Sequence, residues 1–395
     1  MIEGYTTHRT PILNRRLRLG FVGGGRGLVG HWHSAGARLS NQWNIVAGAL
    51  SSNPDVAQKS GQEWDLPIDR IYNSYQDMAE TESQRSDGID AVAICTPNDS
   101  HFRIAKTFLE NDIPVILDKP MTNTVADAQE LVELTKVKNG FLTLTYPFVF
   151  HAMARHARHM VQNGELGRIR QVNVEYLQEW ATLPPDPNIQ GRSWRMMPER
   201  SGRSSVVADI GTHAYHLLHF VTGLKADEIR ADFHVCGAPK DLEDTAYVNL
   251  RLEGGVPGLL WVTQAAPGQY CGLRIRVWGE KGGISWDQEN PERLIHAPLN
   301  EPERHILRGK DTGLCAEAER LVHLPRGHPE ALPDAWANLY SEIAIAISAR
   351  ISGQMLPSDF ISVPTPADGA HGVQFVNACA DSHEAGGSWV SLEDL

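Results

Sequence analysis

Paired cysteines, long apolar runs and blocks of like charge are all missing from this 395-residue sequence. Its five cysteines lie far apart and none forms a CxxC pair, which excludes a disulfide framework and a thiolate zinc site. We expect reduced, mostly buried thiols at Cys95, Cys236, Cys271, Cys315 and Cys379. The net charge of -12 is spread over residues of both signs, so the sequence predicts no nucleic-acid partner.

The N-terminal segment carries charges but only a short apolar stretch, which does not match the apolar region of a secretory signal. No later segment approaches the length that is needed to cross a bilayer. The sequence therefore predicts a cytoplasmic protein with no membrane partner.

The composition is average for a globular protein, with 42% hydrophobic and 21% charged residues, and the length predicts two or three domains, of which we expect two. In residues 17–146, short β-type runs alternate with helical stretches, and the third and fourth runs are almost entirely apolar. This rhythm is typical of a parallel sheet that is covered by helices on both faces. We therefore predict a dinucleotide-binding, Rossmann-like doubly wound α/β domain in residues 1–150.

After this domain the pattern changes to strict alternation of apolar and polar residues, as in 172–176 and 246–252. Such alternation indicates strands of an antiparallel or mixed sheet with one covered face. A hairpin is predicted at 280–283, and the Pro-rich stretch 289–333 is predicted to be loop. Residues 151–395 are thus predicted to form an α+β domain for substrate binding and for assembly into a homo-oligomer.

A glycine-rich turn, GGGRGLVG, directly follows the first β-type run and precedes a predicted helix. Glycine lets the backbone turn tightly and approach a pyrophosphate, and the helix N-terminus adds N–H groups. We predict that Gly23, Gly25 and Gly30 bind the cofactor, with the third glycine two residues later than in GxGxxG. Ser51 and Ser52 stand where NAD enzymes usually have an acidic residue for the ribose, so the predicted cofactor is NAD or NADP.

Three further motifs follow in order: TPNDSH, LDKP and ADIGTHAYH. With the glycine-rich turn, they make the sequence resemble the Gfo/Idh/MocA family of oxidoreductases over almost its whole length. The resemblance implies a Rossmann-like domain followed by an α+β domain with a large, mostly antiparallel sheet, and an active site between the two. It also implies hydride transfer between a nicotinamide cofactor and a secondary alcohol of a sugar, an inositol or a related cyclic polyol.

The same resemblance implies which residues form the site. Those that would line the cofactor are Thr96, Pro97, Asn98 and His101. Lys119 would lie at both the nicotinamide and the substrate, and Asp209 with His213 would complete the catalytic set. One departure from the family pattern is Asp118, which stands where glutamate, longer by one methylene, is common.

The chemistry explains why these residue types are needed. Oxidation of an alcohol requires a base for the hydroxyl proton while the hydride leaves to the nicotinamide. Asp209 and His213 are four residues apart in a predicted helix, so the carboxylate would orient the imidazole as a general base, a role worth roughly 10²–10⁴ in rate. Lys119 would stabilise the developing alkoxide. The alternative for the pair is a helix cap and a core histidine.

Three residues are predicted to bind the substrate. Tyr146 ends the fifth strand, where open α/β sheets place ligands, Trp194 offers an apolar wall, and Arg195 offers hydrogen bonds to hydroxyls. Ordinary packing and surface charge is the alternative for Trp194 and Arg195. His31 and His33 follow the glycine-rich turn and are expected on a helix surface.

No metal site is predicted. Asp209, His213 and His216 have suitable ligand types and spacing, but the sequence shows no further ligand cluster. Two other functions remain open: an oxidoreductase that keeps its nucleotide tightly bound while it passes hydride between sugars, and a non-catalytic dinucleotide-binding regulator on the same fold.

Overall fold

A computed structural model describes residues 13–184, 193–356 and 360–392, and these divide into two compact units. The Rossmann unit contains residues 13–145 and Pro333–Ala370. The sheet unit contains Tyr146–Leu332 and the residues after 370. The predicted division had placed everything beyond residue 150 in one domain, whereas here a late segment joins the N-terminal unit.

The Rossmann unit is built on a five-stranded sheet in the order β2-β1-β3-β4-β5, and every pairing in it is parallel. The strands are β1 (Leu17–Gly23), β2 (Trp43–Ala49), β3 (Ala91–Cys95), β4 (Val115–Leu117) and β5 (Leu142–Leu144). The connecting helices are α1 (Leu28–Leu39), α2 (Pro54–Glu63), α3 (Tyr75–Gln84), α4 (His101–Glu110) and α5 (Val125–Val137). The predicted doubly wound α/β fold is confirmed, and the apolar runs of β3 and β4 are buried as expected of central strands.

Strand order determines where this unit can hold a ligand. The order reverses at β1 and β3, which pair side by side with Gly23 opposite Cys95 at their carboxyl ends. In open α/β sheets the ligand crevice lies at such a reversal, outside the carboxyl ends of the strands. The glycine-rich turn after β1 and the TPNDSH segment after β3 therefore meet at this position.

The sheet unit contains a nine-stranded sheet in the order β13-β12-β11-β10-β6-β9-β8-β7-β14. Its strands are β6 (Ile169–Leu177), β7 (Ala226–His234), β8 (Thr245–Leu252), β9 (Val256–Thr263), β10 (Gly272–Gly279), β11 (Gly282–Asp287), β12 (Arg293–Pro298), β13 (Arg304–Leu307) and β14 (Val390–Ser391). Strands β6 and β9 pair in parallel and the other recorded pairings are antiparallel, which confirms the predicted mostly antiparallel sheet. The predicted hairpin joins β10 to β11.

Helices α6 (Ala152–Gln162) and α8 (Thr212–Thr222) pack against one face of the sheet. The shorter helices α7 (Pro198–Ser201) and α9 (Ala316–Arg320) belong to the same unit. Helix α8 packs on β6 and β10, and a π-helical turn, Val207–Gly211, leads into it. The apolar stripe of this helical segment is buried, from Ile210 to Val221. The other face of the sheet presents the alternate side chains, such as Tyr247, which is 43% exposed.

The prediction of loop for 289–333 was wrong in part. Strands β12 and β13 form one edge of the sheet there, and α9 follows them. Strand β13 is short and largely exposed, and the two buried residues of β12 are Leu294 and the polar His296, so neither strand shows the apolar alternation that would indicate it. Arg308 organises the rest of the segment, because its guanidinium donates to Glu292 and to the carbonyl oxygens of Leu324 and His328.

Two long helices follow, α10 (Leu332–Ser352) and α11 (Pro366–Glu384), and β14 comes after α11. Helix α10 belongs from Pro333 onward to the Rossmann unit, where it lies against α1 so closely that a Cβ on Gly36 would be 2.8 Å from Trp336 Cβ. Tyr340 of α10 accepts a hydrogen bond at its carbonyl oxygen from Trp43 Nε1, and its hydroxyl lies 2.8 Å from His33 Nδ1. His33 is therefore a buried residue, and its expected surface position was wrong.

Among the described residues, no helix has both the length and the apolar character that crossing a membrane would require.

Candidate active site

The glycine-rich turn brings backbone atoms closer together than any side chain would allow. Gly23 and Gly24 have φ values of 73° and 76°, a left-handed conformation that favours glycine. A Cβ on Gly30 would lie 2.2 Å from the carbonyl oxygen of Gly24, and one on Gly25 would lie 2.9 Å from Ser60 Cβ. Gly30, the third glycine of the motif, is therefore where α1 passes directly over the turn.

These features fit a dinucleotide. Helix α1 begins at Leu28, its N-cap Gly27 contributes no side-chain hydrogen bond, and its first turn contains no acidic residue. The first N–H groups of a helix lack intrahelical acceptors and carry a partial positive charge, so they suit a pyrophosphate. When bound, the nicotinamide cofactor would supply the hydride acceptor or donor.

Ser51 and Ser52 follow β2 next to this turn in the fold. Ser51 Oγ accepts a hydrogen bond from the Asn53 N–H at 3.1 Å, which leaves its own O–H as a donor. Asn53 caps α2, whose first turn contains the exposed Asp55. No carboxylate occupies the end of β2 itself, so a 2′-phosphate would meet no direct repulsion from residues 50–53.

The TPNDSH segment is held to the LDKP turn by His101. Its two ring nitrogens lie 2.8 Å from the carbonyl oxygens of Thr96 and Pro120, and the side chain is fully buried. Burial lowers the pKa of His101, so the neutral ring donates from one nitrogen to one of these carbonyls. Asn98 is also buried. His101 thus joins the two turns that carry the predicted cofactor residues.

Lys119 lies in the second of these turns, next to the buried carboxylate of Asp118. Asp118 accepts a hydrogen bond from Thr145 Oγ1 at 2.9 Å, and its Oδ1 lies 4.0 Å from His33 Nε2. Burial by itself would raise the pKa of Asp118, but the neighbouring His33 and the charge of Lys119 hold that pKa well below its usual range. Asp118 is therefore an anion beside Lys119. The other ring nitrogen of His33 lies next to the hydroxyl of Tyr340.

In the sheet unit, Asp209 lies in the π-helical turn before α8. Its Oδ1 accepts from Arg195 Nε at 3.0 Å, and its Oδ2 accepts from Gln264 Nε2 at 2.7 Å. The guanidinium of Arg195 lies 4.5 Å from the ring of Trp194, so these predicted substrate residues are adjacent to each other and to Asp209. Two donors on different segments thus fix the carboxylate.

His213 follows on α8 among aromatic rings. The Phe148 ring is 4.9 Å from the imidazole centroid, the Tyr146 ring 5.7 Å and the Tyr176 ring 6.3 Å. Tyr146 is 2% exposed and stacks on His216 with the centroids 4.0 Å apart. The rings hold the imidazole in one orientation, and the structure brings Tyr146 to His213 as well as to His216.

Gln264 and its neighbours were not predicted as site residues. Gln264 follows β9, and its amide nitrogen lies 3.4 Å from Gln178 Oε1, which also accepts from Trp180 Nε1 at 2.9 Å. Gln178 Nε2 in turn donates to Tyr176 Oη. The available signal was a polar residue directly after an apolar strand.

The structure therefore groups the predicted residues into two sets. Lys119 and the cofactor residues belong to the Rossmann unit, while Asp209, His213, Tyr146, Trp194 and Arg195 belong to the sheet unit. Within the part of the chain that the structure describes, no three His, Cys, Asp or Glu side chains are grouped so that they could hold a metal ion.

The fold and these residues define a nucleotide-dependent oxidoreductase with a Rossmann domain. The model of the oxidoreductase family with an NAD-binding Rossmann fold matches residues 17–146, and that of the GFO/IDH/MocA C-terminal domain matches residues 154–285. The chain belongs to the Gfo/Idh/MocA family of oxidoreductases, and its N-terminal domain is an NAD-binding domain.

Similar proteins extend over nearly the whole chain. The Bacillus subtilis protein named uncharacterized oxidoreductase YfiI is 32% identical, covering 97% of this chain and 98% of its own. The crystal structure of an oxidoreductase from Sinorhizobium meliloti is 39% identical, with a TM-score of 0.85 over 95% of this chain and 100% of that one.

The inositol dehydrogenase homolog from Azotobacter vinelandii is 31% identical in each of two crystal structures. Its complex with NAD+ has a TM-score of 0.93 and covers 98% of this chain and 100% of that chain. Its complex with NADH and myo-inositol has a TM-score of 0.89 and covers 97% of this chain and 99% of that chain.

The contacts of the glycine-rich turn predict different effects for two glycine substitutions. Gly30→Ala places its Cβ against the Gly24 carbonyl and forces the turn open, so nucleotide affinity measured by calorimetry should fall by at least about tenfold. Gly27→Ala is the matched control, since its Cβ meets nothing closer than Gly24 Cα at 3.8 Å and affinity should stay within about threefold. Equal affinities in the two variants would contradict the assignment of this turn as the pyrophosphate-binding site.

Proposed function

We propose that this enzyme transfers a hydride between a nicotinamide cofactor and a secondary alcohol of a sugar, an inositol or a related cyclic polyol. The proposal rests on the arrangement of Asp209 and His213 in the sheet unit. Asp209 is held at both carboxylate oxygens, and His213 follows it within one helical segment among aromatic rings. A base whose orientation is set in advance is what removal of a hydroxyl proton requires.

The proposed steps use three side chains. His213 takes the proton of the substrate hydroxyl as the hydride leaves its carbon; Nδ1 is buried, so Nε2 is the proposed acceptor. Asp209 stays ionised beside the guanidinium of Arg195 and favours the imidazolium that forms. Lys119 stabilises the negative charge that develops on the oxygen. In the reverse direction His213 returns the proton to the alkoxide oxygen.

The cofactor contacts are proposed from the same Rossmann unit. Backbone at Gly23, Gly25 and Gly30 approaches the pyrophosphate, and the hydroxyls of Ser51 and Ser52 donate to the adenosine ribose or to its 2′-phosphate. Four further residues are proposed to line the cofactor: Thr96, Pro97, Asn98 and His101. His101 would act on the nucleotide through the two turns that it joins.

A polyol is supported as the substrate class by the side chains around Asp209. Trp194 offers a flat apolar surface for the C–H face of a ring, while Arg195, Gln178 and the hydroxyl of Tyr176 offer groups for hydroxyls. The A. vinelandii homolog, similar over nearly the full length, was crystallised with myo-inositol. We propose that Tyr146, whose ring lies next to His213, forms one wall of the substrate-binding region.

The chain is also proposed to form a homo-oligomer through the exposed face of the nine-stranded sheet. Tyr247, Leu259 and Trp278 are each more than one-third exposed there, and the rings of Tyr247 and Trp261 stack 5.9 Å apart. Large apolar side chains grouped on one open face are typical of a self-association surface.

The proposed base is tested by replacing His213. With myo-inositol and a panel of sugars, His213→Gln should lower kcat by about 10²–10⁴ while nucleotide affinity is unchanged, because the cofactor binds to the other unit. His219→Gln is the control on the same helix, since the His219 ring bonds to the Leu224 carbonyl oxygen and should leave kcat unchanged. Wild-type turnover in His213→Gln would refute the assignment. If the nucleotide is released only when the protein is denatured, the enzyme is instead the kind that keeps its nucleotide tightly bound and passes hydride between sugars. If the protein binds nucleotide but turns over no substrate, it is a non-catalytic regulator.

The end of β2 predicts how the choice of nucleotide can be changed. Ser51→Asp places a carboxylate where the 2′-phosphate of NADP would lie, so the ratio of kcat/KM for NAD to that for NADP should rise at least about tenfold. Ser74→Asp, at the N-cap of α3, adds the same charge in the same unit and should leave the ratio unchanged. An unchanged ratio in Ser51→Asp would mean that the ribose lies elsewhere.

The self-association surface is tested by adding charge to it. Tyr247→Lys combined with Leu259→Lys should reduce the molar mass in analytical ultracentrifugation to that of one chain, because a buried ammonium group opposes an apolar contact. Val137→Lys, on the exposed face of α5, is the control and should keep the wild-type mass. A wild-type mass in the double variant would place the interface on another surface.

A further inference from the structure

Glu243 is a buried carboxylate that precedes β8 in the sheet unit and is directed at the start of the helical segment with Asp209 and His213. Its Oε1 accepts from the backbone N–H groups of Ser205 and Val206, each at 3.0 Å. The same oxygen accepts from Val207 N at 3.4 Å and from the hydroxyl of Ser204. Oε2 also lies 3.2 Å from Ser205 N.

Ser204 completes this cap. Its Oγ accepts from the N–H groups of Val207 at 3.1 Å and Ala208 at 3.4 Å. The N–H groups of a first helical turn have no intrahelical acceptors and must find others, most often on a nearby side chain of the same segment. Here the acceptor is a carboxylate supplied from a segment about forty residues later, so the segment is fixed by a distant residue.

The cap lies immediately before the proposed catalytic carboxylate. Asp209 N donates to the carbonyl oxygen of Ser205 at 2.9 Å, so Asp209 is bonded to a residue that Glu243 holds. Arg195 and Gln264 fix the far end of the Asp209 side chain, while Glu243 fixes the backbone from which it projects. A shift of this turn would move the carboxylate away from its donors and change the orientation of α8.

We propose that Glu243 is a positioning residue, which acts through the turn 204–208 to set the placement of Asp209 and His213. The inference rests on the proposed function, because it assumes that these two residues perform the proton transfer. Glu243 itself touches neither substrate nor cofactor in this role. Its contribution is to the geometry of the proton transfer, so kcat should respond and nucleotide affinity should not.

The protonation of Glu243 links this geometry to pH. Burial raises the pKa of Glu243 to about 7, so both of its protonation states are populated near neutral pH. The titratable group that senses it from α11 is the buried Cys379, and the neighbouring Asp244 pairs instead with Lys240. The ionised carboxylate accepts from all of its donors, whereas a proton on it removes an acceptor. Activity should therefore rise with pH through about 7.

Asp244 provides a matched control. It is adjacent in the chain and equally buried, and it accepts backbone bonds from Cys236 and Gly237 as well as the Lys240 ammonium. It thus stabilises a turn that lies outside the helical segment of Asp209. Loss of its charge tests whether any buried carboxylate of this unit would produce the same effect.

The experiment compares the full-length variants Glu243→Gln and Asp244→Asn. Glu243→Gln keeps one acceptor oxygen but removes the charge and places an amide NH2 against the Ser205 N–H, so kcat should fall about 10- to 100-fold with little change in nucleotide affinity. Its kcat profile from about pH 5 to about pH 9 should lack the protonation step near 7 that is expected of the wild type, leaving only the step of the base. Asp244→Asn should keep the wild-type kcat and pH profile even where it lowers the melting temperature.

Hydrogen exchange supplies a readout that does not depend on turnover. The amides of 205–208 should exchange at least about tenfold faster in Glu243→Gln and at the wild-type rate in Asp244→Asn. Unchanged exchange, or an equal loss of kcat in both variants, would overturn the inference. Failure of the proposed function is seen separately, as full activity in His213→Gln. If His213→Gln is fully active, faster amide exchange in Glu243→Gln would still show that Glu243 caps the turn 204–208, but the proposed effect of this cap on catalysis would be overturned.

Discussion

A carboxylate that leaves water must find other donors, and the candidate site depends on this constraint at several positions. Asp209 has Arg195 and Gln264, and Asp118 has Thr145 with His33 nearby. In each case the donors come from different parts of the chain within one unit. The positions of the anions are therefore set by tertiary structure, and the local helix or turn supplies only the starting direction. Removing one donor leaves a buried charge without compensation, which is why these groups are coupled to the surrounding fold.

The same constraint separates the roles of the two units. In the Rossmann unit, backbone dominates: glycine turns, helix N–H groups and carbonyl oxygens bridged by His101. Such groups suit a cofactor whose phosphates and ribose are the same in every reaction. In the sheet unit, side chains dominate: Arg195 and Gln264 hold Asp209, and aromatic rings surround His213. Side chains change readily between relatives, so one nucleotide-binding unit can serve enzymes with different alcohol substrates.

Sequence patterns predicted the elements that repeat or alternate. The βαβ rhythm predicted the parallel sheet, and the alternation in 246–252 predicted β8 with its buried face, because both patterns arise from local periodicity. The strands in 289–333 were missed, since β13 is a short exposed edge strand and β12 buries the polar His296 beside Leu294, so neither shows a clear apolar alternation. His33 was misplaced for a different reason: the residue that covers it, Tyr340, is more than three hundred positions away.

The candidate site shows the same limit. Ordered motifs indicated Lys119, Asp209 and His213, and their roles remain proposals. The residues that hold them were not visible in the sequence, because nothing local distinguishes Gln264 after β9 or Glu243 within the polar run before β8. Spacing in the chain also assumed a regular α-helix from Asp209 to His213, whereas Asp209 lies in a π-helical turn, where the rotation per residue is smaller. Only contacts between distant segments reveal such partners.

The placement of α10 has a consequence for synthesis of the chain. The segment that covers Trp43 and His33 emerges from the ribosome only after the whole of Tyr146–Leu332. Throughout that interval the nascent N-terminal unit exposes an apolar surface that its final helix will later bury, and a chaperone that recognises such surfaces would find it there. The nucleotide-binding half thus cannot complete its fold until strands β6 to β13 of the other unit have been synthesised.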